Sequence, residues 1–297
     1  MPEGDTIFRA ASALDRALAG RTLTRFEAPR LPHRPFPPGT VVLGAEARGK
    51  HCLVHFDDGR SLHTHMRMTG SWHLYRPAER WRKKASAARV WLEVASEGDR
   101  TGWVAVCFAA PVVDLVERAD TGRPGVDPTA HLGPNLCEVD ADLDEAVERL
   151  GRLSPPEREI GDALLDQRIA NGVGNVYKCE VCFVCELDPF TPLHEIDAPL
   201  RRRLIETSSR LLQANLHHSA RVTVEGGIAV YGRRNQPCRR CGTPVAWRTQ
   251  GPQARGTYWC PTCQRRPSVP APGAPTPGAQ TPGAQTSGAQ TSSAPQP

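Results

Sequence analysis

Two Cys-x2-Cys pairs, Cys238/Cys241 and Cys260/Cys263, stand 18 residues apart towards the C-terminal end of the chain. In an intracellular protein such a pattern points to a metal: each pair places two sulfurs on one tight knuckle, and four thiolates close the tetrahedron that Zn2+ prefers. With all four positions filled by protein, no coordination site is left for water or substrate. One structural Zn2+ is therefore expected, with two disulfides as the alternative. Residues 248–258 between the pairs read as two strands joined by a Gly/Pro turn. A hairpin pinned at its base is rigid enough to present an Arg to a phosphate, and Arg255 beside Gly256 is the candidate, with Arg248 second.

The rest of the chain narrows the class. Its 297 residues suffice for about two ordinary domains with a core in each. No run of eighteen apolar residues occurs, and the opening MPEGDTIFRA lacks the basic-then-apolar pattern of a secretory signal, so no membrane association and a cytoplasmic location are expected. The overall net charge of +5 conceals a segregation: residues 114–166 carry a net −9, residues 201–266 a net +11. An electropositive C-terminal body suits a polyanion. Residues 267–297 are, but for Val269, all Pro, Gly, Ala, Gln, Thr and Ser, carry no charge and read as a disordered tail.

Local patterns divide the body into blocks. Ile7, Ala11, Leu14 and Leu18 have helical spacing and Gly20 follows as a stop, which predicts a helix over 5–19. Residues 40–108 read as β structure, with 51–56 and 60–66 flanking an Asp-Asp-Gly turn and 89–94 pairing with 103–108. Ser154-Pro155-Pro156-Glu157 has the form of a capping box, and helices are expected near 157–170, 176–187 and 199–216. The fold class is α+β and multi-domain.

Two short motifs carry chemistry. In Gly172-Val173-Gly174-Asn175 two glycines sit in a turn between helices, where backbone N–H groups can bind phosphate and Asn175 can add a donor; a plain helical hairpin is the alternative. At the start, removal of Met1 before Pro exposes Pro2 as a secondary amine. An α-amino group has a pKa near ~8 against ~10.4 for Lys, so a useful fraction is nucleophilic at neutral pH, and Glu3 beside it supplies a carboxylate for proton transfer. Cys179, Cys182 and Cys185 are evenly spaced, with core packing favoured over metal or redox chemistry. His63 and His65 alternate along one strand and are assigned a structural role only.

MPEGDT at the start, Arg48-Gly49-Lys50 before a strand, Gly172-Val173-Gly174-Asn175 in a helical turn and a terminal four-Cys ribbon carrying Arg255 occur in that order. Together they resemble the formamidopyrimidine-DNA glycosylase / endonuclease VIII family of base-excision repair enzymes over residues 1–266, and the PEGD start is similar to the actinobacterial endonuclease VIII branch. The resemblance implies a β-sandwich-like domain with an N-terminal helix over 1–125, a helix–two-turn–helix domain over 126–225, a zinc finger over 226–266 and the tail. It implies that Pro2 attacks C1′ of a damaged nucleotide, that Glu3 moves protons, and that Lys50 joins this catalytic set while Lys50, Asn175 and Arg255 grip phosphates. Strand cleavage by β,δ-elimination would follow. Met68, in His65-Met66-Arg67-Met68-Thr69-Gly70, stands at the position of the family's wedge; burial in the core is its alternative. The stretch 106–113 lacks the Arg-Phe pair typical of members that excise oxidised purines, so oxidised pyrimidines are the expected substrates. Damaged double-stranded DNA is the expected partner, with single-stranded DNA a further one, and the protein is expected to be a monomer. Two competing readings are a non-enzymatic zinc-ribbon DNA-binding protein and an abasic-site lyase or sensor without glycosylase activity.

Overall fold

A computed structural model of the chain describes residues 2–32, 36–218 and 220–267. The tail assigned to 267–297 therefore lies, but for Pro267, outside the described residues. The first helix, α1 (Gly4–Leu18), buries Ile7, Ala11, Leu14 and Leu18 as their spacing requires, and ends before Gly20 at φ 69°. Trimming one of these, as in Leu14→Ala, costs about 2–5 kcal/mol at a buried position.

Eight antiparallel strands follow. They are β1 (Arg21–Glu27), β2 (Val41–Arg48), β3 (His51–Phe56), β4 (Arg60–His65), β5 (Ser71–Tyr75), β6 (Ala88–Val94), β7 (Trp103–Phe108) and β8 (Val112–Glu117), in the spatial order β5-β7-β6-β1-β2-β3-β4-β8. Because β1 pairs with β2 on one side and β6 on the other, one sheet folds into two halves that share a core with α1: Val54, Phe56 and Leu62 from one half, Val90, Leu92 and Cys107 from the other. Both expected hairpins are present, with His51 opposite His65 and Trp91 opposite Val106. Two strands, β1 and β8, lie outside the expected 40–108 block. A register shift between Leu23 and Arg25 breaks the alternation in β1, and its first residue is a buried Arg21 whose guanidinium donates to the carbonyls of Ala95, Arg100 and Thr101.

Five α-helices are found among the described residues. An unanticipated α2 (Leu143–Arg152) begins at Asp142, whose carboxylate accepts from the Glu145 N–H at 2.9 Å. The helix expected over 157–170 is reduced to α3 (Ile160–Ala163). Ser154 caps nothing, its hydroxyl being buried without a partner, while the backbone of this segment is drawn into tertiary pairs, Ile160 N to Thr191 O and Gly161 N to Pro189 O, both at 2.9 Å. Helices α4 (Asn175–Val184) and α5 (Ala198–Ala214) match their expected places, α5 capped by Asp197. The chain closes with the hairpin β9 (Ala246–Gln250) and β10 (Arg255–Trp259), which shares a small core with Cys179 and Phe183 of α4.

Candidate active site and nucleic-acid interface

A cleft of about 860 Å³ is lined by Pro2, Glu3, Lys50, Met68, Asn175 and Arg255, so the six non-cysteine site residues inferred from sequence converge on one space. They come from the start of α1, the β2–β3 turn, the β4–β5 loop, the start of α4 and the start of β10.

Glu3 is almost wholly buried and immediately precedes α1. Its carboxylate does not cap that helix; it accepts instead from Gly174 N at 3.1 Å, Val176 N at 2.9 Å and Tyr177 N at 3.3 Å, at the positive end of α4. A Cβ on Gly174 would lie 2.2 Å from the Glu3 carboxyl carbon, so only glycine admits this approach. Burial raises the Glu3 pKa, opposed by Arg221, Lys50 and the α4 N–H groups. The N–H groups read from sequence as a phosphate cradle are thus occupied: Glu3 takes those of Gly174, Val176 and Tyr177, and Gln167 Oε1 takes that of Gly172 at 3.1 Å.

Gly49, at φ 58° and against Asn171, turns the chain so that Lys50 reaches the cleft, where its ammonium donates to Val173 O. Desolvation pushes the Lys50 pKa down to about 8; Glu3 opposes that shift and Arg255 adds to it. Asn175 donates from Nδ2 to Gly256 O at 2.8 Å, which ties α4 to the terminal hairpin, and its Oδ1 is buried with no partner. Arg255 is steadied by Gln253 Oε1 at 2.9 and 3.1 Å. Arg248 lies over the Phe190 ring at 3.4 Å and does not line the cleft.

Behind Glu3 lies a pair with no local sequence signal. Arg221 grips the fully buried carboxylate of Asp5 through Nε at 2.8 Å and Nη2 at 2.7 Å. The partners are 216 residues apart in sequence, which is why neither residue could be read as half of a pair. Asp5 has a lowered pKa because the favourable Arg221 and Arg9 interactions outweigh its burial.

Met68 is 59% exposed at the tip of the β4–β5 loop, so the core alternative applies to Met66, at 2%, and not to Met68. Arg67 takes φ 44°, and Thr69 Oγ1 donates to Ala109 O at 3.0 Å, which fixes this loop against the β7–β8 connection. That connection is only Ala109-Ala110-Pro111, with no Arg or aromatic side chain.

Sulfurs of Cys238, Cys241, Cys260 and Cys263 all lie within 4.8 Å of one another, with Cys238–Cys263 at 3.9 Å and Cys241–Cys260 at 3.5 Å. Zinc–sulfur bonds of about 2.3 Å in a tetrahedron put sulfurs about 3.8 Å apart, and a disulfide would need about 2.05 Å, so the donor set fits a metal ion. Backbone N–H groups of Arg240 and Cys263 point at the sulfurs of Cys238 and Cys260, each at 3.4 Å, as suits thiolates. Cys179, Cys182 and Cys185 are buried in two different apolar clusters, in keeping with core packing.

His63 and His65 belong to a cluster with His51 and His131: His51 Nδ1 and His63 Nε2 are 2.8 Å apart, the His51 and His65 ring centres 4.6 Å apart, and His131 stands edge-on to His51. His65 and His131 line the cleft. Burial first, then the neighbouring positive charges, pushes the pKa of His51 down to about 3 and of His65 to about 4.

Residues 1–103 match the family model of the formamidopyrimidine-DNA glycosylase N-terminal domain, and residues 132–225 that of the formamidopyrimidine-DNA glycosylase H2TH domain. A probable endonuclease 8 2 of Streptomyces coelicolor is 43% identical over 276 residues, covering 90% of this chain and 95% of that protein. DNA-(apurinic or apyrimidinic site) lyase Nei2 of Mycolicibacterium smegmatis is 35% identical, covering 89% and 99%. In fold the chain is similar to Lactococcus lactis Fpg crystallised with abasic-site DNA, with a TM-score of 0.71 at 21% identity over 89% of this chain and 100% of that one. No helix among the described residues is long and apolar enough to cross a membrane.

Proposed function

Because the chain belongs to the formamidopyrimidine-DNA glycosylase / endonuclease VIII family, DNA glycosylases that also act as abasic-site lyases, we propose that its cleft excises oxidised bases through the amine of Pro2. The observation that carries this reading is the placement of Pro2 beside a buried Glu3 and a Lys50 of lowered pKa in one cleft. The amine lone pair attacks C1′ as the glycosidic bond breaks and the nitrogen gives up its proton; the C1′–O4′ bond then opens to leave an iminium, with the leaving base and O4′ each taking up a proton. Glu3, its carboxylate oriented by three N–H groups, is positioned to move them. The iminium acidifies the C2′ proton, so loss of that proton breaks the C3′–O bond and a second elimination breaks C5′–O. Lys50, Asn175 and Arg255 line this space and suit the phosphates that flank the lesion.

A base must leave the stack to reach Pro2, and exposed Met68 is apolar and flexible enough to fill the gap. The short β7–β8 connection supports a preference for oxidised pyrimidines such as dihydrouracil over 8-oxoguanine opposite cytosine. Without an Arg there, about 1–3 kcal/mol of bidentate contact to an opposing base is missing. The four cysteines would hold one structural Zn2+, which supplies rigidity to the hairpin presenting Arg255. We place domain boundaries at 125 and 225, and read the protein as a cytoplasmic monomer acting on duplex and also single-stranded DNA.

Borohydride trapping on abasic DNA tests the nucleophile. A chain with a blocked Pro2 should bind DNA but form no covalent adduct, and undiminished trapping by a protein whose extended N-terminus is intact by mass spectrometry would overturn the assignment. The lyase name of the Mycolicibacterium relative favours a second reading, an abasic-site lyase without base excision. Trapping on abasic DNA without release of dihydrouracil would select it.

A further inference from the structure

Between β5 and β6 the chain runs Arg76-Pro-Ala-Glu-Arg80-Trp-Arg82-Lys83-Lys84, five cations against one carboxylate. Arg80, Arg82, Lys83 and Lys84 are all exposed, and none of them forms an ion pair among the described residues. Other arginines show the contrast, each paired with a carboxylate: Arg48 with Glu46, Arg149 with Glu145, Arg158 with Asp162, Arg168 with Asp166. Four neighbouring unpaired cations repel one another, a cost with no return inside the fold.

The loop is also held in place. The Trp81 ring stands edge-on to Trp91 with centres 4.6 Å apart and to Phe108 at 5.6 Å, and the Arg82 N–H donates to the Tyr75 hydroxyl at 3.2 Å. Lys83 Nζ donates to Ser71 Oγ at 2.8 Å, and Ser71 is the first residue after the loop that carries Met68. The basic loop thus adjoins the wedge loop, yet no residue from 71 to 89 lines the cleft that holds Pro2.

We propose that Arg80, Arg82, Lys83 and Lys84 grip the phosphates of the strand opposite the lesion. The proposal rests on the glycosylase reading of the cleft. There Lys50, Asn175 and Arg255 serve the damaged strand, with Met68 between the two strands. Cations outside the cleft and joined to the wedge loop then face the backbone of the intact strand. A fixed loop loses little entropy on binding, and the contacts carry no base specificity.

The test is a variant with Arg80→Gln, Arg82→Gln, Lys83→Gln and Lys84→Gln together, alongside the single charge reversal Lys84→Glu. Binding is measured by anisotropy on a labelled duplex with a tetrahydrofuran abasic analogue, on the same labelled strand alone, and on undamaged duplex. The quadruple variant is expected to bind both duplexes about tenfold or more weakly near 0.1 M salt. The slope of log K against log salt should fall by about 0.9 for each phosphate contact removed. Single-strand affinity and borohydride trapping of a single-stranded abasic oligonucleotide should stay within twofold, and Lys84→Glu should show the same selectivity at smaller size. Equal losses on duplex and single strand, or no loss on either, overturn the proposal. Failure of the unaltered protein to trap abasic DNA would instead refute the glycosylase reading, and the undamaged duplex would still report on the loop.

Discussion

Lys50 holds the most consequential charge in the cleft, because its pKa of about 8 lies within reach of ordinary buffers. A phosphate favours the protonated form, so affinity for a duplex with a non-cleavable abasic analogue should fall as pH rises from 7 to 9. One charge-assisted contact is worth about 1.5–3 kcal/mol, roughly tenfold or more in binding. Lys50→Arg should flatten that dependence, since an arginine stays charged throughout; an unchanged pH profile in that variant would place the titration elsewhere. Arg221 and Asp5 act on stability. Removing one partner strands a buried charge, so Arg221→Met and Asp5→Asn should each cost about 3–5 kcal/mol in denaturant unfolding. The double variant should lose less than the sum, and strict additivity would show that the two residues do not interact. Pro2, Glu3 and Asn175 could be singled out in the sequence because each lies in a short motif whose residue types suggest a chemistry, and Lys50 only through the family resemblance; the structure brings all four to one cleft. Arg221 was not, because its meaning comes only from a carboxylate at the other end of the chain.

At the scale of elements, the facing strands β3 and β4 assemble a property neither has alone. Their register sets His51 opposite His65, and His63 Nδ1 stands 3.3 Å from Asp114 Oδ2 on β8. His51 and His65, with folded pKa values of about 3 and 4, are neutral in the fold, but in the unfolded chain each takes a proton near pH 6.5. Between those limits the unfolded state binds more protons, so stability is full above about pH 6.5 and falls with acidification. Thermal midpoints should therefore drop from pH 7 to pH 5. A His51→Gln, His65→Gln double variant should show a shallower drop, and equal slopes would exclude these histidines as the source. Sequence inspection saw His63 and His65 on one strand face and paired their strand with 51–56, but it could not foresee that Asp114 of β8 and His131 would join them. The helix expected over 157–170 failed for a related reason: a good capping signature lost to backbone pairing with residues 189–192, which no local pattern reveals.

For the whole molecule, the four-cysteine hairpin and α4 act together. Asn175 reaches Gly256 O, and the buried ammonium of Lys178 donates to Thr257 Oγ1 and Gln250 Oε1, so the arm bearing Arg255 is fastened both at the cysteines and at the wall of the cleft. Metal analysis should find one zinc per chain. Strong chelation should disorder the hairpin, change the fluorescence of Trp247 and Trp259, and weaken binding to damaged and undamaged duplex alike, as the phosphate contact proposed for Arg255 requires. Unaltered binding by metal-free protein would separate the metal from the interface.

Sequence alone determined what depends on neighbours along the chain: the apolar face of α1, both β-hairpins and the cysteine knuckles, and it singled out Pro2 as the candidate nucleophile. Periodicity, turn chemistry and ligand spacing are short-range quantities. Only the tertiary structure decided that the N-terminus of α4 receives Glu3, that Asp5 meets Arg221, and that four histidines gather beside Lys50. Hydrogen bonds and screened charges act over a few ångströms of space, and the fold sets which residues come that close.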